Sequence, residues 1–256
     1  MKKIILVFIC CLPLLSISQK APALHPAAAA PMTKPPANET GRIDTIITKD
    51  PMNPAREYWV VHNLKGMIRA RGSMLNGKKD GVWREYSEAN GVITKLTEYT
   101  GGVANGASLA FGFNGNIMVD ETLKNDKKTG ERLAYGQYGG RIKSFETYSN
   151  DTLDGVKKVY YDDGKIQEDG FYKNGLRNGT VKWFKQNGVP TMEYTYENGV
   201  MDGPAKIYDD NGKLKQEGVY RNNNEEGEWK EYQDSLLVKK IIYKQGQILK
   251  EIPVKK

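Results

Sequence analysis

The sequence is nearly without cysteine and histidine, and this excludes several kinds of chemistry. Both cysteines, Cys10 and Cys11, lie in the first 18 residues, so the rest of the chain has no thiol for a disulfide or for nucleophilic attack. The only histidines are His25 and His62. A Ser-His-Asp arrangement would depend on His62 alone. We therefore predict that the protein is not an enzyme and that it uses no cofactor.

The sequence also lacks the short motifs that are typical of nucleotide and metal sites. It has no glycine-rich loop ending in Gly-Lys-Ser/Thr and no His-Glu-x-x-His. Acidic residues do occur in pairs, as at Asp162-Asp163 and Asp209-Asp210. Because Lys165 and Lys213 follow the adjacent glycines, the spacing is not that of an EF-hand. We interpret these acidic pairs as turn residues and predict no metal site.

The first residues have the composition of a secretory signal peptide. Lys2 and Lys3 precede an apolar segment, residues 4–15, which is too short to span a bilayer as a helix. Ser16 and Ser18 are small residues at the positions that a signal peptidase recognises. We predict cleavage after Ser18 and export to the periplasm, the cell surface or the medium. Retention as an anchor and lipidation of a cysteine are alternatives that the sequence favours less.

The charge of the chain is mildly basic and evenly distributed. Its formal net charge is +7, and charged residues of both signs are mixed along the chain rather than clustered. A basic excess of this size mostly aids solubility. Together with export, the mixed charge argues against nucleic acid as a partner.

One pattern recurs from residue 81 onward with a period of 24 or 25 residues. Each unit begins with a glycine, has an aromatic residue five positions later and, in all but the last unit, a further glycine nine or ten positions after its start. The starting glycines are Gly81, Gly106, Gly130, Gly155, Gly179, Gly203 and Gly227. The residues five positions later, here called the frame aromatics, are Tyr86, Phe111, Tyr135, Tyr160, Phe184, Tyr208 and Tyr232. A weaker unit begins at Glu57, where His62 takes the aromatic position.

Each unit is predicted to be one β-hairpin. A short strand is expected from the starting glycine to the frame aromatic, and the following glycine permits the positive φ of a turn. A second strand is expected to end at a second aromatic residue, such as Tyr172 or Tyr196. Stacked hairpins would align the frame aromatics in core columns, where each ring contributes roughly 1.5–3 kcal/mol. The predicted fold is all-β, an elongated single-sheet array of about seven or eight antiparallel hairpins.

At this point the pattern resembles a known repeat. Residues 172–188, YKNGLRNGTVKWFKQNG, resemble the MORN repeat in their order of aromatic, Asn-Gly, glycine, aromatic and turn glycine. The second glycine of that pattern is missing, because Val181 stands two residues after the start, as Ala205 does in the next unit. This departure resembles the MORN-variant repeat of many exported bacterial proteins, which are often grouped with the YwqK-type antitoxin family. The resemblance covers roughly residues 57–250 and implies a fold more specifically than a function.

Three tryptophans lie outside the predicted aromatic columns. Trp83 and Trp229 follow their starting glycines by two residues, and Trp183 follows by four. Strand alternation places all three on the face opposite the frame aromatics. If that face is exposed to solvent, these rings are the predicted contact residues for a partner.

The sequence divides into four segments. Residues 1–18 are the signal peptide and residues 19–41 a linker rich in proline and alanine, for which we expect an extended conformation. Residues 42–80, including Ile43, Ile46 and Ile47, are expected to form an N-terminal cap and the degenerate first unit. Residues 81–256 hold the repeats, and Leu236–Tyr243 is expected to fold back as a C-terminal cap. Lys239, Lys240, Lys255 and Lys256 would discourage pairing between edges there.

The expected function is that of an exported, non-catalytic scaffold. Such a repeat surface would bind another protein or an envelope polymer. Association with a phospholipid surface is the alternative that the basic charge favours. Binding of a toxin is a further alternative, although export would separate this protein from a cytoplasmic toxin.

Overall fold

The structure, a computed structural model, describes residues 44–137 and 140–254. They form twenty β-strands in one open antiparallel sheet, which confirms the predicted all-β hairpin array. No helix capable of crossing a membrane is found among these residues. The predicted signal peptide and linker lie outside the described residues, as do Ile43, Lys255 and Lys256.

The strands follow one another along the chain without a crossover. They are β1 (Thr45–Lys49), β2 (Arg56–His62), β3 (Ile68–Leu75), β4 (Lys78–Lys79), β5 (Gly81–Tyr86), β6 (Ile93–Thr100), β7 (Val103–Phe111), β8 (Ile117–Lys124), β9 (Lys127–Tyr135), β10 (Ile142–Ser149), β11 (Thr152–Tyr160), β12 (Ile166–Lys173), β13 (Leu176–Arg177), β14 (Gly179–Phe184), β15 (Pro190–Glu197), β16 (Val200–Tyr208), β17 (Leu214–Arg221), β18 (Asn224–Gln233), β19 (Leu236–Lys244) and β20 (Gln247–Pro253). Strands β4 and β5 both pair with β3, and β13 and β14 both pair with β12.

One series of turns is connected by hydrogen bonds from repeat to repeat. These turns contain two consecutive residues with positive φ, such as Asn150 and Asp151 at 49° and 65°, and asparagine and aspartate tolerate this conformation. The N–H of Asp151 donates to the carbonyl of Lys128 at 3.0 Å, and the Asp151 carboxylate accepts from the N–H of Lys128 at 2.8 Å. The same reciprocal contact joins Asp126 to Ala104. The turns thus fix the offset between successive hairpins.

Gly81 and Gly179 begin β5 and β14 as predicted, but the other five starting glycines lie inside strands, which corrects the prediction that each begins one. Gly106, Gly155 and Gly203 lie inside β7, β11 and β16 and have φ of 126°, 128° and 131°, a conformation that other residues rarely adopt. Next to Gly106, the pairing with β6 passes from Thr97–Ser108 to Tyr99–Ala104, so three residues face one. A bulge lets the strand continue beyond the glycine instead of ending there.

The two faces of the sheet differ in burial. Face A is defined by a central row in which most residues are paired with the next across the strands. At Gly72–Trp83, Gly170–Val181 and Gly218–Trp229 the row continues because the side chain lies over the neighbouring glycine. Face B is the other side, which carries the frame aromatics. The central row consists of Ile47, Trp59, Gly72, Trp83, Thr97, Ser108, Glu121, Arg132, Glu146, Lys157, Gly170, Val181, Tyr194, Ala205, Gly218, Trp229, Ile241 and Glu251. Most of the buried side chains of the described residues belong to this row.

The frame aromatics are only half-buried, which corrects the prediction that they form the core columns. Each instead packs beside an aliphatic residue across its hairpin, as Tyr160 does with Ile166 and Phe111 with Ile117. His62 occupies the same position opposite Ile68, as expected for the degenerate first unit. The core therefore lies on face A, on the side of the sheet opposite the frame aromatics.

Large side chains of the central row lie over glycines of the neighbouring strand. A Cβ added to Gly72 would overlap the indole of Trp83, and one added to Gly218 would overlap the indole of Trp229. The Trp229 Nε1 donates to the carbonyl of Val219 at 3.2 Å, which holds the ring in place. The absence of a side chain on one strand thus lets the ring of the next strand lie flat on the sheet.

The two ends of the sheet are ordinary strands. Leu236–Tyr243 lies in β19, which pairs with β18 on one side and β20 on the other, so the expected fold-back cap is wrong. Of its apolar residues, Ile241 is buried on face A in a core cluster with Trp229 and Ala205, whereas Leu236 is 59% exposed. Within the described residues, β1 pairs only with β2 and β20 only with β19, and these two strands are the edges.

We predict that Gly218→Ala lowers the free energy of unfolding by about 1–3 kcal/mol, because the new methyl group must displace the Trp229 ring. Urea unfolding followed by circular dichroism measures the change. Gly136→Ala is the control, since its Cβ would meet only the flexible end of Lys143, at 3.3 Å. In a Trp229→Ala background the cost of Gly218→Ala should disappear; an unchanged cost there would contradict the packing described.

Candidate binding face

Face A carries a chain of aromatic rings in edge contact across its C-terminal repeats. The ring centroids of Trp183 and Tyr194 are 5.9 Å apart, and those of Tyr194 and Tyr220 are 5.7 Å apart. Trp229 continues the chain, with 5.2 Å to Tyr220 and 6.0 Å to Tyr243. Edge-to-face pairs of this kind add roughly 0.5–1.5 kcal/mol beyond the area they bury. The rings therefore form one ordered surface.

A guanidinium lies among three of the rings of face A. The Arg177 guanidinium carbon is 5.5 Å from the ring centroid of Trp183, 5.6 Å from that of Tyr196 and 6.0 Å from that of Tyr172. Its terminal nitrogen is 3.8 Å from the carboxylate of Glu168, and its buried Nε has no hydrogen-bond partner. Burial and the Glu168 carboxylate raise the pKa of Tyr172. Cation and rings hold one another in position here.

A second cation contacts rings at the N-terminal end of face A. The Lys79 ammonium is 4.7 Å from the ring centroids of both Trp83 and Tyr99. Beside it, Val61, Ala70 and Glu85 line an open depression of about 350 Å³. Because Trp83 is covered by Lys79 on one side and by the backbone of Gly72 on the other, its ring is not available for stacking on a ligand.

The central row of face A is charged in the middle of the array. Arg132 lies between two glutamates, with its Nε 3.4 Å from Glu121 and a terminal nitrogen 2.9 Å from Glu146. The hydroxyl of Tyr148 also donates to Glu146, at 3.1 Å. Tryptophan, valine, alanine and glycine occupy the positions of Glu121, Arg132 and Glu146 in other repeats. The centre of face A thus differs chemically from both of its apolar ends.

The three tryptophans predicted as contact residues lie on face A as expected, but they differ in exposure. Trp83 and Trp229 are 6% and 4% exposed, which corrects the expectation that they lie on a solvent-exposed surface. Trp183 is half-buried and therefore more exposed than the other two. Of the three, Trp183 is the one whose position suits contact with a partner, and that contact stays a prediction.

The remaining candidates for chemistry are dispersed. His62 is buried on face B, and its Nδ1 has no hydrogen-bond partner. The carboxylates of Asp163 and Asp209 accept hydrogen bonds from N–H groups of their own turns, at Lys165 and Lys213. Within the part of the chain that the structure describes, no three residues of the types that bind metals come together.

Face B carries a ladder of alternating charges along its C-terminal repeats. The ladder, in order across the strands, consists of Lys158, Asp169, Lys182, Glu193, Lys206, Glu217 and Lys230. Lys182 is 3.5 Å from Glu193, and Lys230 is 3.5 Å from Glu217. Cross-strand pairs of opposite charge each add a fraction of a kcal/mol, and this alternation favours the observed register.

Three consecutive repeats of the array match the model of a known repeat family. The MORN repeat variant is found at residues 153–174, 177–198 and 201–222. Each copy corresponds to one hairpin of the sheet: β11–β12, β13–β15 and β16–β17. MORN repeats are generally binding or scaffold modules and are generally not enzymatic. No curated protein matches the chain.

We predict that Arg132→Met lowers the free energy of unfolding by about 1–3 kcal/mol, because it leaves two glutamates without their shared donor. Arg69→Met is the matched control, since the Arg69–Glu88 pair, at 3.6 Å, is more than half exposed whereas Arg132 is 24% exposed. The control should change stability by less than about 0.5 kcal/mol. Equal effects of the two substitutions in urea unfolding would show that the charged centre has no special role.

We predict a loss of stability at high pH that depends in part on Tyr208. Burial and a 3.0 Å hydrogen bond to Glu193 raise the pKa of Tyr208 to about 12. In the unfolded chain a tyrosine ionises near pH 10, so this contribution is complete below about pH 10 and is lost as the pH rises towards 12. In Tyr208→Phe the free energy of unfolding should fall less steeply over this interval. An identical pH dependence in wild type and variant would contradict the assignment.

Proposed function

We propose that the protein is an exported, non-catalytic scaffold that binds another protein through face A. The observation that carries the proposal is the cluster of Trp183, Tyr194, Tyr196 and Arg177, in which ordered rings and a guanidinium are partly exposed on one face. Tryptophan, tyrosine and arginine are the residues that contribute most often to binding energy at protein interfaces. Because the cluster is held by internal contacts, a partner would bind it with little loss of side-chain freedom.

The match to the MORN repeat variant supports this proposal, because such repeats generally act as binding or scaffold modules. The signal sequence predicted for residues 1–18 supports an exported location, and it favours an envelope protein over a cytoplasmic toxin as the partner. The cluster would also suit an envelope polymer, which could stack on its rings.

The charge pattern favours a protein over a phospholipid surface. The face B ladder alternates in sign from strand to strand, so it presents no continuous positive strip to anionic headgroups. On face A, Arg177 and Lys79 are directed at aromatic rings. The cations of the ladder and of these two ring contacts are therefore not grouped into a surface that would attract anionic headgroups.

The test is an affinity pull-down of the tagged, exported protein after mild crosslinking in its native cells, with mass spectrometry of what is recovered. We expect one strongly enriched envelope protein, and we expect Trp183→Ala to lose it. Phe171→Ala is the control, since Phe171 is a 45% exposed ring on face B of the adjacent repeat. Both variants must unfold cooperatively and be fully folded under the pull-down conditions, so that loss of binding is not loss of fold.

Three outcomes would contradict the proposal. Recovery of a cytoplasmic toxin would contradict export. Loss of the partner in Phe171→Ala but not in Trp183→Ala would assign binding to face B. Salt-sensitive co-sedimentation with anionic vesicles, without an enriched protein, would favour the phospholipid alternative.

A further inference from the structure

Among the described residues, the N-terminal edge of the sheet is a regularly paired strand without the usual protection. Strand β1 pairs with β2 through five consecutive residue pairs without a bulge. Ile46 and Ile47 are 45% and 47% exposed, and the only charged residue of the strand is its last one, Lys49. Natural sheets protect their edges with bulges, proline or charged side chains within the strand. An edge that lacks these features is a template for pairing with another strand.

The C-terminal edge is different. Strand β20 has a register shift against β19 between Ile242 and Tyr243. It also contains the charged residues Lys250 and Glu251 and ends with Pro253, which has no N–H to donate. The two edges of the sheet are therefore unequal, and only β1 is suited to regular pairing.

The hydrogen bonds between β1 and β2 show which backbone groups of β1 are unused. The N–H of His62 donates to the carbonyl of Asp44 at 2.7 Å, and the N–H of Asp50 donates to the carbonyl of Arg56 at 2.9 Å. Because such bonds alternate along an antiparallel pair, the even-numbered residues of β1 bond to β2. The odd-numbered residues, Thr45, Ile47 and Lys49, direct their N–H and C=O groups away from the sheet.

We propose that β1 pairs with β1 of a second copy of this chain, antiparallel and centred on Ile47. In this register Ile47 faces Ile47 of the second copy, and Thr45 faces Lys49. Every outward N–H then meets an outward C=O, since the outward residues of one strand coincide with those of the other. A two-fold axis perpendicular to the sheet produces this arrangement and keeps face A on the same side in both copies.

The side chains of β1 are compatible with that pairing. On face A, Ile47 already stands opposite Trp59, so the two isoleucines would join the central rows of both copies into one apolar row. On face B, Ile46 would face Thr48, and both are β-branched residues suited to a strand. Asp44 would approach Asp50 of the second copy just beyond the strand ends, which limits the pairing to these five residues. Assembly of this kind is separate from partner binding by Trp183, which lies in a different part of the sheet.

The test is sedimentation of the full exported chain over a dilution series, for wild type and two edge variants. We expect a concentration-dependent dimer of the wild type. Ile47→Lys should leave only monomer, because it places two like charges opposite each other at the axis. Ile248→Lys is the control, since Ile248 is 53% exposed on the opposite edge, and it should dimerise like the wild type. At concentrations low enough for all three proteins to be monomeric, their unfolding curves should agree, which shows that the substitutions leave the fold intact.

Hydrogen exchange then identifies the edge that pairs. In the dimer the amides of Thr45, Ile47 and Lys49 should exchange slowly, and in Ile47→Lys they should exchange rapidly, while those of Ile46 and Thr48 change little. A wild type that stays monomeric overturns the proposal, and if the same amides are nevertheless protected, a segment of the same chain covers the edge. Dissociation by Ile248→Lys, or an unaffected Ile47→Lys, overturns it as well.

Discussion

The register between neighbouring strands is the constraint on which the rest of this structure depends. The described residues form one sheet, so a side chain is buried mainly by the residues opposite it on the strands at either side. Every hairpin must therefore keep the same offset from the next if the central row of face A is to continue. The stacked turns at Asp126 and Asp151 and the bulges at the starting glycines hold that offset at the backbone level.

Burial in the central row is achieved by complementary sizes across strands. Trp83 and Trp229 lie over glycines, and Val181 lies over Gly170, whose added Cβ would be 3.0 Å from it. In the middle of the array the same positions are filled by Glu121, Arg132 and Glu146, which satisfy one another by ion pairing. The same backbone geometry thus accommodates either apolar or charged side chains at the central-row positions. This explains how the surface of a repeat fold can vary along the array while its backbone stays the same.

The sequence was sufficient to predict the hairpin unit, but it did not show which face of the hairpin is buried. A period of 24 or 25 residues, a glycine and a frame aromatic predict the hairpins and the turns, since both depend on local backbone preferences. Alternation also placed Trp83, Trp183 and Trp229 correctly opposite the frame aromatics. It did not show which face is buried, because both faces of a single sheet carry aromatic residues. That depends on cross-strand partners such as Gly72 and Gly218, which become apparent only with the register.

The cations of face A were missed for a related reason. Lys79, Lys128 and Arg177 each stand two residues before a starting glycine, and the Lys128 ammonium is 4.3 Å from the ring centroid of Tyr148. Alanine, leucine, methionine and glutamate occupy that position in the other repeats. Because the residue type varies so much at this position, the position is not part of the recognisable repeat pattern. The bulge at the glycine brings the residue at this position beside the tyrosine of the neighbouring strand, as it brings Arg177 beside Tyr172. Only the alignment of these positions with the tyrosines would have revealed the contact.

The register itself is tested most directly by a disulfide between Thr180→Cys and Thr195→Cys. These residues stand opposite each other in β14 and β15, with their hydroxyl oxygens 3.4 Å apart. The structure predicts that this pair oxidises readily in the folded protein, whereas Thr180→Cys with Tyr194→Cys, whose side chains lie on opposite faces, does not. Formation of the second disulfide in preference to the first would mean that the strands are offset by one residue, and faces A and B would then exchange their residues.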